Sequence, residues 1–244
     1  MSLIPMTPQQ TPSAISAILF DKDGTLMDFQ GSWGPWAQGV ILEICGGPGE
    51  KAEAVALAMG FDMAQVRFHP DSALIAGTPE DVLEVLQPHF PQLTPQQILA
   101  RLDADPGRFL PMPVPGLGNI CAALTQAGYA LAVVTNDFEA SAHDHLRQMD
   151  VLAHFSAVVG YDSGYGGKPA PGPCLGAAER LGVAPSGCVM VGDSLHDLVA
   201  GRAAGMMTVA VLTGVAQAHE LAPHADVVLD SVADLFDWLC HRQI

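Results

Sequence analysis

The chain has 244 residues, and its 26 aspartates and glutamates against 10 lysines and arginines give a formal charge of −16 at pH 7. Hydrophobic residues make up 49% and charged residues only 15%, below the roughly 25% charged of an average soluble domain, which excludes an intrinsically disordered chain. The acidic balance excludes nucleic acid or an anionic membrane as the main partner, because its long-range field repels both. Any anionic substrate therefore needs a locally positive pocket. No apolar stretch reaches the roughly 18 residues of a membrane span, and residues 1–13, rich in Pro, Gln and Thr, read as a loose leader rather than a signal peptide. Cys45, Cys121, Cys174, Cys188 and Cys240 are widely spaced without a C-x-x-C pair. That spacing supports neither a disulfide framework nor a zinc site, and the cysteines are expected as reduced, mostly buried thiols of a cytoplasmic protein.

In chain order, residues 15–20 (ISAILF) form an apolar run that stops abruptly at charge, the mark of a buried strand ending at a polar edge. The stretch 30–110 reads mainly as helix. Residues 33–45 and 49–59 carry apolar side chains at helical spacing, and the Thr78-Pro79 and Thr94-Pro95 pairs place a hydroxyl N-cap before a first-turn proline. Proline-rich residues 110–116 read as a hinge. Beyond it, strands are expected at 130–134, 188–191, 208–212 and 227–229. Helices are expected at 116–127, 139–149, 173–181, 195–204 and 232–241. Strands alternating with helices of about ten residues imply parallel pairing by right-handed crossovers, hence an α/β doubly wound, Rossmann-like sheet core carrying an inserted all-helical unit.

Three of these strands end in chemistry. Asp21-Lys-Asp-Gly-Thr25 follows the first, at the carboxyl edge where ligands bind in open parallel sheets. Two carboxylates two residues apart there can share one metal ion or divide nucleophilic and acid/base roles; the competing reading is a plain turn. Thr135 and Asn136 end the second strand. Gly192-Asp-Ser-Leu-His-Asp197 ends another, with Asp193 and Asp197 both able to face the crevice, although Asp197 could equally be a helix N-cap carboxylate. Lys168, in the stiff Gly166-Gly-Lys-Pro-Ala-Pro-Gly-Pro173 frame, is expected in a loop on the same edge.

AILFDKDGT (17–25), LAVVTND (131–137), GGKPAPGP (166–173) and VGDSLHD (191–197) together resemble the four ordered motifs of the haloacid dehalogenase-like hydrolase superfamily. The segment at 30–110 resembles that superfamily's first-type helical cap, with 1–29 and 111–244 as the catalytic core. In cap type and layout the chain is similar to the phosphoglycolate phosphatase group. The resemblance implies Asp21 as nucleophile and Asp23 as general acid and base. It also implies Mg2+ held by Asp21, the Asp23 carbonyl and Asp193, with Asp197 supporting from behind. Thr135, the Asn136 backbone and Lys168 would bind the phosphoryl group. Asp23 separates a hydrolase from the superfamily's dehalogenases and ion pumps, and Gly24-Thr25 resembles the phosphatase form of the motif more than the mutase form.

The expected partner is a small phosphorylated metabolite, with the protein a monomer or homodimer. A sugar-phosphate or nucleotide phosphatase is the enzyme alternative, and a phospho-accepting signalling module the non-hydrolase one. Among cap cations Lys51, Arg67, Arg101 and Arg108, Arg67 is the expected substrate contact, because it adjoins Phe68 and His69 in an irregular segment. Trp33 and Trp36 read as cap packing, and His196 as a helix-surface residue rather than a ligand, since Mg2+ prefers oxygen.

Overall fold

The computed structural model describes residues 14–102 and 108–242; the leader expected at 1–13 lies outside them. Along the chain, β1 (Ala17–Phe20) leads into a helical lobe of α1 (Phe29–Cys45), α2 (Glu50–Ala58), a hairpin of β2 (Phe61–Asp62) and β3 (Arg67–Phe68), α3 (Pro79–Leu86) and α4 (Pro95–Leu102). The rest alternates: α5 (Leu117–Gln126), β4 (Ala130–Val134), α6 (Glu139–Gln148), β5 (Phe155–Val159), α7 (Gly172–Leu181) and β6 (Cys188–Gly192). It ends with α8 (Leu195–Ala203), β7 (Met207–Val211), the short α9 (Ala218–Leu221), β8 (Val227–Leu229) and α10 (Leu235–Arg242).

Six strands form one parallel sheet in the order β5-β4-β1-β6-β7-β8. Side chains alternate across it. Ile18, Phe20, Leu131, Val133, Val189 and Val191 pack with Leu117, Leu124, Leu146 and Leu239 on one face. On the other face Ala17, Leu19, Ala132, Val134 and Met190 meet Ala177, Ala178 and Ala200. Both faces are covered, which is why the strands are near-continuous apolar runs. β1 lies where the strand order reverses, the place in such sheets where loops part and leave a crevice.

Three features differ from expectation: β5, the hairpin within the lobe, and α9, whose four residues are too few to show a helical period. The sequence pattern does not mark β5, because residues 151–159 carry no glycine or proline to separate the strand from the helical turn before it. The lobe is not wholly helical: Phe61 pairs with Phe68 and Asp62 with Arg67 across a hairpin, whose turn is closed by the Ala64 and Gln65 N–H groups donating to Asp62 Oδ1.

The lobe has its own apolar centre, with Phe29, Ile41, Val55, Phe61, Phe68, Leu86, Phe90 and Ile98 buried together. Thr78 caps α3 reciprocally with Asp81, and Thr94 exchanges hydrogen bonds with Gln97 at α4, as the Thr-Pro pairs foretold. The chain enters and leaves the lobe side by side: the Asp28 N–H donates to the Met112 carbonyl, and the Val114 N–H to Leu26. Among the described residues no helix is long and apolar enough to cross a membrane.

Candidate active site

The residues singled out in the sequence converge on the carboxyl edge of the sheet. Asp21 follows β1, its N–H donating to the Val191 carbonyl at 2.8 Å, and Thr135 follows β4, its N–H donating to Val159 at 2.9 Å. Gly24 turns the chain back with φ +85°, a conformation that costs glycine little. A Cβ there would also collide with the Asp193 carboxylate. Thr25 Oγ1 then donates to Asp193 Oδ1 at 3.0 Å. Asp21, Thr25, Thr135, Asn136, Lys168, Asp193 and Asp197 are all buried.

Lys168 is the positive centre of this floor. Its Nζ donates to Asp21 Oδ1 at 2.5 Å, to Asp197 Oδ1 at 2.6 Å and to the Val134 carbonyl at 2.8 Å, which uses all three ammonium protons. Burial opposes its charge, but the Asp197 and Asp21 carboxylates more than reverse that and hold its pKa above the usual lysine range. The Lys168 loop is pinned through Asn136, whose side chain donates to the Lys168 carbonyl and accepts from the Lys168 N–H. The same amide nitrogen donates to Ala76 of the lobe at 2.9 Å. Asn136 therefore ties lobe to sheet through its side chain, a role beyond the backbone contact that the motif implies. Thr135 Oγ1 accepts from the Asp137 N–H, leaving its proton for a ligand oxygen.

Asp21, Asp193 and Asp197 each bring one carboxylate oxygen within 4.8 Å of the others, a grouping fit for a cation. Burial pushes the Asp21 carboxyl up to about 7 against the pull of Lys168. Burial together with the neighbouring Asp21 and Asp197 carboxylates raises Asp193 well above its usual 3.8. One ammonium cannot balance three buried carboxylates, and the donor set is all hard oxygen, the chemistry that Mg2+ fits. Asp197 is the least available of the three, since Oδ1 is taken by Lys168 and Oδ2 by the Ser194 hydroxyl and N–H.

Asp23 faces a second network that no sequence motif marks. Fully buried Lys22 donates to Asp23 Oδ1 at 2.9 Å and to His145 Nδ1 at 3.0 Å, and pairs with Asp137 at 3.1 Å. Burial pushes the His145 ring down to about 3 with Lys22 adding to the effect. The ring is thus neutral, and because lysine only donates, His145 Nδ1 is the acceptor. Trp33 Nε1 donates to Asp23 Oδ1 at 2.5 Å. Burial raises the Asp23 carboxyl, but Lys22 and the Trp33 hydrogen bond outweigh it and leave the group below 3.8. The one available signal was Lys22 itself, a charge at the end of an apolar run; nothing local in sequence announces Trp33, Asp137 or His145 as its partners.

Above the floor lies a cavity of about 670 Å3, bounded on the sheet side by Asp21, Asp23, Thr135, Asn136, Lys168 and Asp193 and on the lobe side mainly by apolar residues. Arg67 does not line it. Adjacent residues of a strand point to opposite faces: Phe68 is buried in the lobe and lines the cavity, so Arg67 is turned to solvent. Lys51 lies over the Phe90 ring at 4.2 Å, Arg108 pairs with Glu43, and Arg101 is exposed. Trp33 and Trp36 pack edge-to-face at 5.0 Å and also form cavity wall, so packing and lining are one role. His196 is half-buried on α8.

Fold and site together define a doubly wound α/β protein with an acidic, metal-type centre at its strand ends. The model of the family described as haloacid dehalogenase-like hydrolase matches residues 15–205, and the chain belongs to that family. It is 36% identical to the phosphoglycolate phosphatase of Escherichia coli strain K12 over 134 residues, 54% of this chain and 52% of that one. It is also 36% identical to that of Neisseria meningitidis over 120 residues, 48% and 51% of the two chains. The chain thus spans about half the length of the curated relatives it matches. Among solved structures, a HAD phosphatase from Thermococcus onnurineus superposes with TM-score 0.62 at 23% identity, over 92% of this chain and 98% of its own. A hydrolase from Pseudomonas syringae gives 0.65 at 19%, over 93% and 98%. At these identities the likeness establishes the fold.

Proposed function

We propose that the protein is a Mg2+-dependent phosphatase that cleaves a small phosphorylated metabolite through an aspartyl-phosphate, with residues 30–110 acting as the cap over a core formed by 1–29 and 111–244. The observation that carries this reading is the placement of Asp21 under the cavity. It is held by Lys168 at 2.5 Å and flanked by Asp193, while Asp23 is held apart in its own network.

Asp21 attacks phosphorus in line; Asp23, ionised in the free protein, takes up the proton that the phosphate monoanion brings, passes it to the leaving oxygen, and then takes a proton from the water that cleaves the acyl phosphate. The Thr135 hydroxyl holds a phosphoryl oxygen, and Lys168 neutralises charge on the phosphate and on Asp21 through its field. Asp21, the Asp23 carbonyl and Asp193 would hold Mg2+, with Asp197 fixing Lys168 from behind; the ion supplies charge neutralisation and orientation of the phosphate. The Lys22 and Trp33 contacts keep Asp23 oriented toward the cavity. We read the enzyme as cytoplasmic, with which the unpaired cysteines agree; burial pushes Cys121 and Cys174 up to about 12 and Cys188 to about 11, which makes them poor nucleophiles.

Phosphate release from acetyl phosphate with Mg2+ tests the reading, because that substrate hardly uses the cap. Many turnovers per protein are expected, with Asp21→Asn reducing them to background in a folded protein. A single stoichiometric phosphorylation would instead assign a signalling module.

A further inference from the structure

The cap face of the cavity has a chemistry the phosphate site does not require. Trp33, Trp36, Phe68, Ile75, Val82 and Phe109 are among the residues that line it, without one charged side chain from the cap among the described residues. The cations that reach the cavity come from the sheet side. Lys168 is consumed at the floor, and Arg147 pairs with Asp144 where both are largely exposed. His145, the remaining basic ring, is buried and accepts from Lys22. Residues 1–13 and 103–107 contain no lysine or arginine. Between residues 30 and 110, ten carboxylates outnumber four basic side chains, a net of −6. A second anionic group on the substrate, such as the carboxylate of a phosphorylated hydroxy acid, finds no cationic partner on the cap side and an unfavourable field there.

We infer that the substrate is a phosphate monoester of a bulky, uncharged, apolar alcohol, an aromatic ring included; this rests on the phosphatase reading above and names its leaving group. The size of the cavity agrees, since about 670 Å3 lies within the roughly 300–1,000 Å3 of small-molecule sites, and a two-carbon acid would leave most of it unfilled. The wall also begins at the acid itself. Trp33 touches the Asp23 carboxylate and lies tilted against Phe109 at 4.4 Å, and Phe109 stacks on His145 at 4.0 Å. A departing alcohol protonated by Asp23 therefore lies against aromatic surface at once.

The test is kcat/KM with Mg2+ for ethyl, butyl, hexyl and 2-phenylethyl phosphates against glycerol 1-phosphate and 2-phosphoglycolate, esters whose leaving groups are all alcohols of similar acidity. An increase of about fourfold per added methylene is expected until the wall is covered, the equivalent of about 0.8 kcal/mol each, with phosphoglycolate below ethyl phosphate. A flat series, or glycerol phosphate or phosphoglycolate as the best substrate, overturns the inference while leaving the phosphatase reading intact. If neither acetyl phosphate nor any ester is cleaved, the phosphatase reading falls and the inference with it; where turnover is seen, binding of 2-phenylethylphosphonate against phosphonoacetate, followed by calorimetry, checks the wall apart from the chemistry. Tighter binding of the phenyl compound supports the inference, and equal or weaker binding overturns it. Val82→Arg, at a half-buried wall position, is expected to narrow the hexyl-to-phosphoglycolate ratio by at least about tenfold, the scale of one pocket contact; parallel changes in both substrates count against the inference.

Discussion

At the scale of single residues, the acid/base candidate is held by groups that no motif names. Asp23 keeps its charge because Lys22 and Trp33 outweigh the cost of burying it. Trp33→Phe keeps the ring and deletes the N–H. Losing a hydrogen bond to a charged group costs about 1.5–3 kcal/mol, so kcat is expected to drop about tenfold or more with the circular dichroism spectrum unchanged. An unchanged kcat would remove Trp33 from the positioning role. Lys22→Met is a harsher change, since it leaves Asp23 and Asp137 as neighbouring buried carboxylates without their shared ammonium. Breaking a buried ion pair from one side costs about 3–5 kcal/mol, measurable by urea unfolding. Asp21, Thr135 and Asp193 stand out in the sequence because each follows an apolar strand, Lys168 because it sits in a rigid Gly-Pro loop, and Asp197 because it falls in the first turn of the helix after Asp193. Trp33 was not, because an indole within an apolar helix reads as packing whether or not its N–H has a partner. Arg67 was misplaced because strand alternation in a two-residue β3 is invisible until the hairpin itself is seen.

At the scale of elements, the sheet was legible wherever an apolar run ended at a polar residue, which placed β1, β4, β6, β7 and β8. β5 has the same composition but no punctuation before it, so only its pairing with β4 defines it. The far edge of the sheet depends on one side chain. Asp226, just before β8, accepts from the Thr208 N–H at 2.9 Å and pairs with Arg202 at 3.2 Å. Burial raises its carboxyl, but the Thr208 hydrogen bonds and Arg202 prevail and hold it below 3.8. A carboxyl depressed in the folded state stabilises the fold above its unfolded value, and that contribution disappears as pH falls through the folded value. Asp226→Ala is therefore expected to cost about 1 kcal/mol near neutrality, a figure at the low end because solvent screens the half-exposed Arg202 pair. The gap from the unsubstituted protein should close on acidification below about pH 3.8. A gap independent of pH would mean that the aspartate acts through its shape alone.

At the scale of the whole molecule, a chain of charge −16 is read as drawing a small anion into a crevice floored with carboxylates, and the balance between those carboxylates and a cation should appear in its stability. Asp21 carries a folded value of about 7 against an ordinary 3.8, and Asp193 is raised as well. A carboxyl raised in the folded state binds its proton more tightly than in the unfolded chain, so its contribution to stability is full below about pH 4 and is lost as pH rises toward 7. Without divalent cation, these two groups should therefore weaken the fold across that interval. Mg2+ competes with the same protons, and a ligand that binds only the folded state adds about 2.7 kcal/mol at a concentration one hundred times its dissociation constant. The stabilisation by Mg2+ over EDTA, measured by urea unfolding, should consequently be larger at about pH 7.5 than at about pH 5.5. Taking the difference at each pH removes Asp226 and every other titration that does not involve the ion. Asp193→Asn should unfold at higher urea than the unsubstituted protein in EDTA at about pH 7.5, because it relieves carboxylate repulsion, and should lose most of the response to Mg2+. An equal Mg2+ effect at both pH values, or a full response in Asp193→Asn, would place the ion away from Asp21 and Asp193.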